Sequence, residues 1–419
     1  MTTPHPALRL SDRIAELLAD PADVPVAWSS RPQWRQSLAH GAPGIALLHI
    51  ERAAAGRGPW ELVRAWLSVA ASVPVTSGAD SYLYYGAPAL AHALTCAAQA
   101  RSGSYQRALA HLDQVVAGDA VRRCEQAEAR IERGDLPRLA EFDTIRGLAG
   151  IGSVLLRRAP DGEAIRRVVA CLVRLTGNVE HEGEVLPGWW TLTGPSGERD
   201  ERFPGGHANT GLAHGIAGPL ALLALSLRRG IEVDGQRDAI RTVLAWLERW
   251  RDGHTWPYWI TPAHLAGPDR RPLAPQRPSW CYGSAGITRA QQLAALALDD
   301  PHLRHGAEGA LATALVDPKA LAATTDLSAC HGYAGLAHIA HRAAADASPR
   351  NADRLRSAAA LLLDTTHPPH ADPDEQARHL LASAGPAFLD GAAGTALALL
   401  TPATGTDPAT HWDACLLTS

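Results

Sequence analysis

Cys330 and His331 are adjacent in Ala329-Cys330-His331-Gly332, and Cys281 lies in Trp280-Cys281-Tyr282-Gly283. Two thiols and an imidazole are ligand types that zinc prefers, and three protein ligands leave its fourth tetrahedral position open. An open position makes a metal site chemical rather than structural. The spacing matches no zinc finger, and the paired C-x-x-C of the zinc deaminases is absent. For these residues to act together, the chain must bring position 281 to positions 330 and 331.

An internal repeat supplies the means. Short glycine segments recur at His40-Gly41-Ala42-Pro43-Gly44, Arg146-Gly147-Leu148-Ala149-Gly150, His214-Gly215-Ile216-Ala217-Gly218, Tyr282-Gly283-Ser284-Ala285-Gly286, His331-Gly332-Tyr333-Ala334-Gly335 and Asp390-Gly391-Ala392-Ala393-Gly394. A degenerate copy, Tyr85-Gly86-Ala87-Pro88-Ala89, lies between the first two. With 37 glycines in 419 residues some matches arise by chance, so the glycines alone do not establish a repeat. The adjoining segments do. Nearly every copy leads into an Ala/Leu-rich run such as Leu220-Ala221-Leu222-Leu223-Ala224-Leu225. These runs are apolar almost all round, the mark of a buried helix. Between copies lie helical stretches with a polar face, such as 238–249.

Successive first glycines stand 45 to 68 residues apart, room for one outer helix, one inner helix and loops. Such a hairpin cannot bury its apolar helix alone and must stack on neighbours. The expected architecture is all-α: an α/α toroid of about seven helical hairpins, with the G-x-x-G loops on one rim. The residue before each first glycine would then point at the mouth. His40, Tyr85, Arg146, His214, Tyr282, His331 and Asp390 hold that position. Unrelated helix-capping loops would not need so many polar and titratable groups at equivalent places.

Composition agrees with one helical enzyme domain spanning 1–419, because a toroid grows by repeats and needs no second core. A net charge of −4 gives no reason to expect nucleic acid or an anionic membrane surface as partner. Lys319 is the sole lysine among 39 basic residues, a bias of composition rather than function. The first twenty residues lack a basic region followed by an apolar one, and apolar runs are broken before they span a bilayer. A cytoplasmic protein that is not integral to the membrane is expected. Six scattered cysteines form no disulfide framework, and Cys96, Cys124, Cys171 and Cys415 read as bystanders. Two stretches interrupt the helical pattern: Thr176 to Gly206, with Gly188-Trp189-Trp190, and His254 to Pro278, with Trp256, Tyr258 and Trp259. Long loops in a compact domain tend to be functional, here as an aromatic groove for an extended peptide or as packing on the rim.

Three motifs in order, Gly206-His207-Ala208-Asn209-Thr210-Gly211-Leu212-Ala213-His214-Gly215, Trp280-Cys281-Tyr282-Gly283 and Cys330-His331-Gly332, resemble the lanthionine synthetase C-like family, the lantibiotic cyclases. Ser37-Leu38-Ala39-His40-Gly41 and Leu389-Asp390-Gly391-Ala392-Ala393-Gly394 look like its first and last repeats. The length resembles the stand-alone cyclases. The resemblance implies a toroid holding one Zn2+ and a reaction in which a precursor-peptide Cys thiol adds to dehydroalanine or dehydrobutyrine, closing a lanthionine or methyllanthionine ring. Its partners would be the dehydrated precursor, leader and core, and a dehydratase and transporter complex at the membrane, to which the cyclase is peripheral.

By the same resemblance Cys281, Cys330 and His331 match the zinc ligands, and His214 the acid/base beside the metal. Arg277, four before Cys281, matches an active-site Arg; Asp143 matches the family Asp, and Tyr282 the Tyr after the first Cys. The plainer readings are a loop-capping His214, a helix cap or ion-pair partner at Asp143, an Arg277 that holds its Pro-rich loop, and a His207 and Asn209 that only shape theirs. Arg146 has no assigned role. Physical chemistry suits the implied reaction. A free thiol is only a few per cent thiolate near pH 7. Zinc binding lowers that barrier, and addition at the β-carbon leaves an enolate that needs charge stabilisation and a proton. Two other functions remain open on the same fold: addition of glutathione to dehydroamino acids in proteins, and a non-catalytic zinc-stabilised scaffold binding a leader peptide and a synthetase partner.

Overall fold

A computed structural model describes residues 5–199, 201–267, 276–368 and 370–419. Among these, nineteen α-helices stand against two small two-stranded sheets, so the fold is all-α as the sequence predicts. Seven of the helices are buried along nearly their whole length: Ala42–Ala54, Ala87–Ala100, Leu148–Arg158, Ala217–Arg228, Ser284–Leu298, Tyr333–Asp346 and Ala392–Thr404. Six start directly after the first glycine of a repeat and the seventh two residues after Gly215. Ala and Leu give them high helix propensity, and the lack of a polar face forces burial. Other helices bury only a stripe. In Gln236–Arg249 the stripe is Ala239, Ile240, Val243, Leu244 and Leu247, at the three- and four-residue spacing of one helix face.

The helices group into two compact units. In one, Met1–Leu112 with Thr324–Ala414, helix Tyr333–Asp346 packs on Ala392–Thr404, which packs on Ala42–Ala54, which packs on Ala87–Ala100. The last repeat of the chain therefore lies against the first. In the other, Asp113–Ala323 with Cys415–Ser419, helix Leu148–Arg158 packs on Ala217–Arg228, which packs on Ser284–Leu298.

Neighbouring loops are tied by backbone hydrogen bonds. In the first unit, Cys330 N–H donates to Leu389 O (2.9 Å), Leu389 N–H to Ala39 O (3.1 Å) and Leu38 N–H to Tyr84 O (2.9 Å). In the second, Thr144 N–H donates to Ala213 O and Ala213 N–H to Cys281 O, both at 3.0 Å. In each of these bonds the acceptor is the residue two before a first glycine.

The stretch 176–206 is not loop throughout. Asn178–His181 pairs antiparallel with Glu184–Pro187. Its turn, Glu182-Gly183, has positive φ at both residues (52° and 82°), the two-residue geometry that matches strand twist. In the second stretch, Trp259–Ile260 pairs with Ala208–Asn209 beside the His214 loop, and a short helix comes next at Pro262–Ala266. The rest of that stretch falls partly on 268–275, outside the described residues. Among the described residues, no helix is long and apolar enough to cross a membrane.

Candidate metal and acid–base site

The repeated loop sorts its side chains by position. In four of the seven loops, a side-chain oxygen four residues before the first glycine closes the loop on the backbone. Ser37 Oγ accepts from His40 N (3.0 Å), Asp143 Oδ1 from Arg146 N (2.6 Å), Ser279 Oγ from Tyr282 N (3.3 Å) and Ser328 Oγ from His331 N (3.1 Å). The turn is tight: a Cβ on Gly283 or Gly332 would collide with the backbone nitrogen of Ser279 or Ser328. Two before the glycine, Ala39, Tyr84, Ala213, Cys281, Cys330 and Leu389 are buried. One before it, all seven residues from His40 to Asp390 are half-buried or exposed, as expected of side chains turned outward. Both cysteines therefore occupy the inward position, and His214, Tyr282 and His331 the outward one.

Asp143 combines two tasks. Its Oδ1 accepts from Arg146 N and from Gly147 N (2.8 Å), the capping role of the serines. Its Oδ2 lies 2.7 Å from His214 Nδ1. A carboxylate only accepts, so the ring carries its proton on Nδ1 and turns Nε2 away. Asp143 is buried, at 1% exposure, and His214 keeps a partly open side. The Tyr282 ring lies 6.0 Å from the His214 ring, and Tyr258 and Trp259 pack on Tyr282 at 5.6 and 5.9 Å. Phe203 extends this aromatic wall, 5.2 Å from Trp259. Cys281 Sγ sits 3.5 Å from Ser279 Oγ. Arg277 is half-buried; its carbonyl accepts from Ser279 N (2.8 Å) and Tyr258 OH (3.4 Å). Burial raises the Tyr258 pKa, the Arg277 charge opposes the rise, and Cys281 adds to it.

In the Cys330-His331 loop, the backbone of both residues is fixed, by Leu389 O and Ser328 Oγ. His331 has a carboxylate at each ring nitrogen: Asp326 Oδ2 is 3.3 Å from Nε2, and Asp390 Oδ1 is 3.6 Å from Nδ1. The ligand atoms of Cys281, Cys330 and His331 all lie within 4.8 Å of one another.

Arg146, without an assigned role in the sequence, finds one, and His207 and Asn209 take the loop-shaping roles of the plainer reading. Arg146 Nη1 donates to Ser196 O (3.0 Å), tethering the long stretch to the third repeat. His207 packs on Phe203 at 4.3 Å, and Asn209 Oδ1 accepts from Gly211 N (2.9 Å), so both shape the loop. Asp326 is a further residue of this loop, six before Gly332, where Arg277 stands before Gly283. Cys96, Cys124, Cys171 and Cys415 are buried.

Residues 32–417 match the family described as Lanthionine synthetase C-like protein, and the chain belongs to that family. It is 26% identical over 211 residues to the nisin biosynthesis protein NisC of Lactococcus lactis subsp. lactis. That match covers 48% of this chain and 48% of the relative, so it spans about half the length of that curated protein. The fold superposes on the solved structure of a nisin cyclase with a TM-score of 0.77, over 97% of this chain and 96% of the other, at 22% identity. The fold is therefore the α/α toroid expected from the repeat.

Proposed function

We propose that this chain is a zinc-dependent lanthipeptide cyclase, which adds Cys thiols of a dehydrated precursor peptide to dehydroalanine or dehydrobutyrine. The observation that carries the reading is the convergence of Cys281, Cys330 and His331 to within 4.8 Å. Family membership and the Asp143–His214 pair support it. The donor set fits the metal. Ligands bound tetrahedrally at zinc–sulfur and zinc–nitrogen lengths lie about 3.6 Å apart, so a small contraction suffices. Zinc held there would lower the pKa of a substrate thiol and fix its sulfur for attack.

The remaining work falls to side chains. The thiolate attacks the β-carbon, and the carbon–carbon π pair moves toward the carbonyl as an enolate. The Arg277 guanidinium is the candidate to stabilise that charge, and the Tyr282 hydroxyl is a second candidate donor. His214 Nε2 takes up the proton the substrate thiol loses and then delivers it to the α-carbon, so the ring passes through the doubly protonated form and returns to the neutral one with Nδ1–H held by Asp143. Tyr258, Trp259, Tyr282 and Phe203 form an apolar wall against which an extended core peptide can lie. The reading includes a single 1–419 domain, a cytoplasmic location, and work alongside a dehydratase and transporter complex.

The test joins metal to activity. Purified protein should carry one zinc per chain, and Cys281→Ala, Cys330→Ala and His331→Ala should each deplete it. Wild type should convert a dehydrated precursor to a product whose cysteines resist alkylation, with free glutathione as the competing thiol. His214→Ala and Arg277→Ala should keep zinc and lose most ring closure. Zinc-free active wild type, or undiminished zinc in all three ligand variants, would sink the proposal. Capture of glutathione in preference to the internal thiol would move the function to intermolecular quenching.

A further inference from the structure

We propose that Asp326 is a positioning residue for His331, holding the imidazole so that Nδ1 faces the metal and Nε2–H faces the Asp326 carboxylate. The inference rests on the zinc reading above. A neutral imidazole has one N–H and one lone pair, so the two carboxylates beside His331 compete for a single proton. Asp326 is the nearer, 3.3 Å from Nε2, whereas 3.6 Å between Asp390 and Nδ1 is beyond hydrogen-bond range.

Asp326 is also the better anchored. Its Oδ1 accepts from Ser328 N at 2.8 Å and its carbonyl from Tyr333 N at 3.1 Å. These bonds fix the carboxylate at the base of the Cys330-His331 loop and present Oδ2 to the ring. Gly332 makes room for it, because a Cβ there would lie 2.5 Å from Asp326 Oδ1. The Asp390 side chain is 48% exposed and that of Asp326 35%. The Nε2 proton therefore goes to Asp326, and the Nδ1 lone pair is left to bind metal. A carboxylate behind a ligating His fixes its tautomer and raises its basicity, and removing such a partner typically costs about 10–100-fold in metal affinity.

The test is zinc affinity by competition with a chromogenic chelator, for full-length wild type, Asp326→Asn and Asp390→Asn. Asn keeps an oxygen for Ser328 N–H, so the loop can close as before. Asp326→Asn should bind zinc about 10–100-fold more weakly, and Asp390→Asn should lose less than about tenfold. Nitrogen-15 NMR of histidine-labelled, zinc-loaded wild type should show His331 with Nδ1 bound to metal and Nε2 protonated. A merely structural role for Asp326 would not fix that tautomer. Metal on Nε2, or unchanged affinity in Asp326→Asn, overturns the proposal. The spectrum needs no variant, so a misfolded Asp326→Asn leaves it decisive. Zinc-free wild type would instead remove the underlying zinc reading, and this proposal with it.

Discussion

On the proposed mechanism, replacing Asp143 with Asn should nearly abolish proton delivery by His214 while leaving the fold and Cys281, Cys330 and His331 intact. In the native loop Oδ2 faces His214 Nδ1 at 2.7 Å, and Oδ1 accepts from the backbone at Arg146 and Gly147, at 2.6 and 2.8 Å. An amide has one oxygen for these two tasks. If the oxygen stays on the backbone, the NH2 group faces Nδ1 and the ring proton moves to Nε2. Giving up that proton would then leave an anionic ring. If the amide flips, its NH2 opposes two backbone donors, at about 1–3 kcal/mol for each left unsatisfied. The first arrangement wins, and the acid is lost. General acid–base catalysis contributes about 10²–10⁴-fold, or about 2.7–5.4 kcal/mol, and that is the expected loss. Asp143→Ser behaves differently, because a hydroxyl caps the equivalent loops at Ser37, Ser279 and Ser328. It keeps the cap and removes only the charge-assisted bond, worth about 1.5–3 kcal/mol, for a loss of about 10–150-fold. Single-turnover cyclisation, read by mass spectrometry after thiol alkylation, gives the order wild type, Ser, Asn. The reasoning fails if Asn is faster than Ser or lies within about tenfold of wild type, given equal zinc content.

His49 gives stability a pH dependence unrelated to catalysis. Burial lowers its pKa from 6.5 to about 4, partly opposed by the bond to Leu18 O. The fold therefore favours the neutral ring: its contribution is complete above pH 6.5 and is lost as pH falls from there toward 4. Urea unfolding should show a loss of about 2–3 kcal/mol across that window, absent in His49→Gln, and equal slopes in the two proteins would contradict it. Two glycine-to-alanine changes should have opposite signs. Gly332→Ala forces a methyl onto the Ser328 backbone nitrogen and should cost about 1–3 kcal/mol. Gly309→Ala lies inside helix Pro301–Ala314 with nothing near its Cβ and should gain about 0.5–1 kcal/mol, both by thermal or urea unfolding.

The seven buried helices were legible because an Ala/Leu run without a polar face has no alternative to burial, and the glycine before each run marks its start. Cys281, Cys330 and His331 stand out in the sequence as ligand types in repeated loops, whereas His214 and Asp143 are singled out only through the family resemblance. What the sequence hid were contacts between distant segments. Arg146 had no role until Ser196, fifty residues on, was seen to accept from it. Hairpin 178–187 looks like loop in the sequence because four-residue strands carrying Glu, His and Asn show too little alternation. Asp326 left a usable signal, since it shares the repeat position of Arg277, but position alone does not say which way a carboxylate points.

A repeat divides labour by loop position, and that explains how one scaffold yields unlike groups at a site. Four before the glycine, the side chain need only close the turn, and Ser suffices at 37, 279 and 328. Two before it, the side chain is buried in six of the seven loops, Ile145 being half-buried, so a thiol placed there is shielded from bulk solvent, as at 281 and 330. One before it, the side chain turns out, so a ring there can meet substrate or metal, as at 214, 282 and 331. In the third repeat the closing residue is Asp rather than Ser. The exchange adds one oxygen to a cap the fold already needs, and that oxygen is the one on His214. The capping and ion-pair readings of Asp143 are thus both correct, and its positioning of His214 grows out of them.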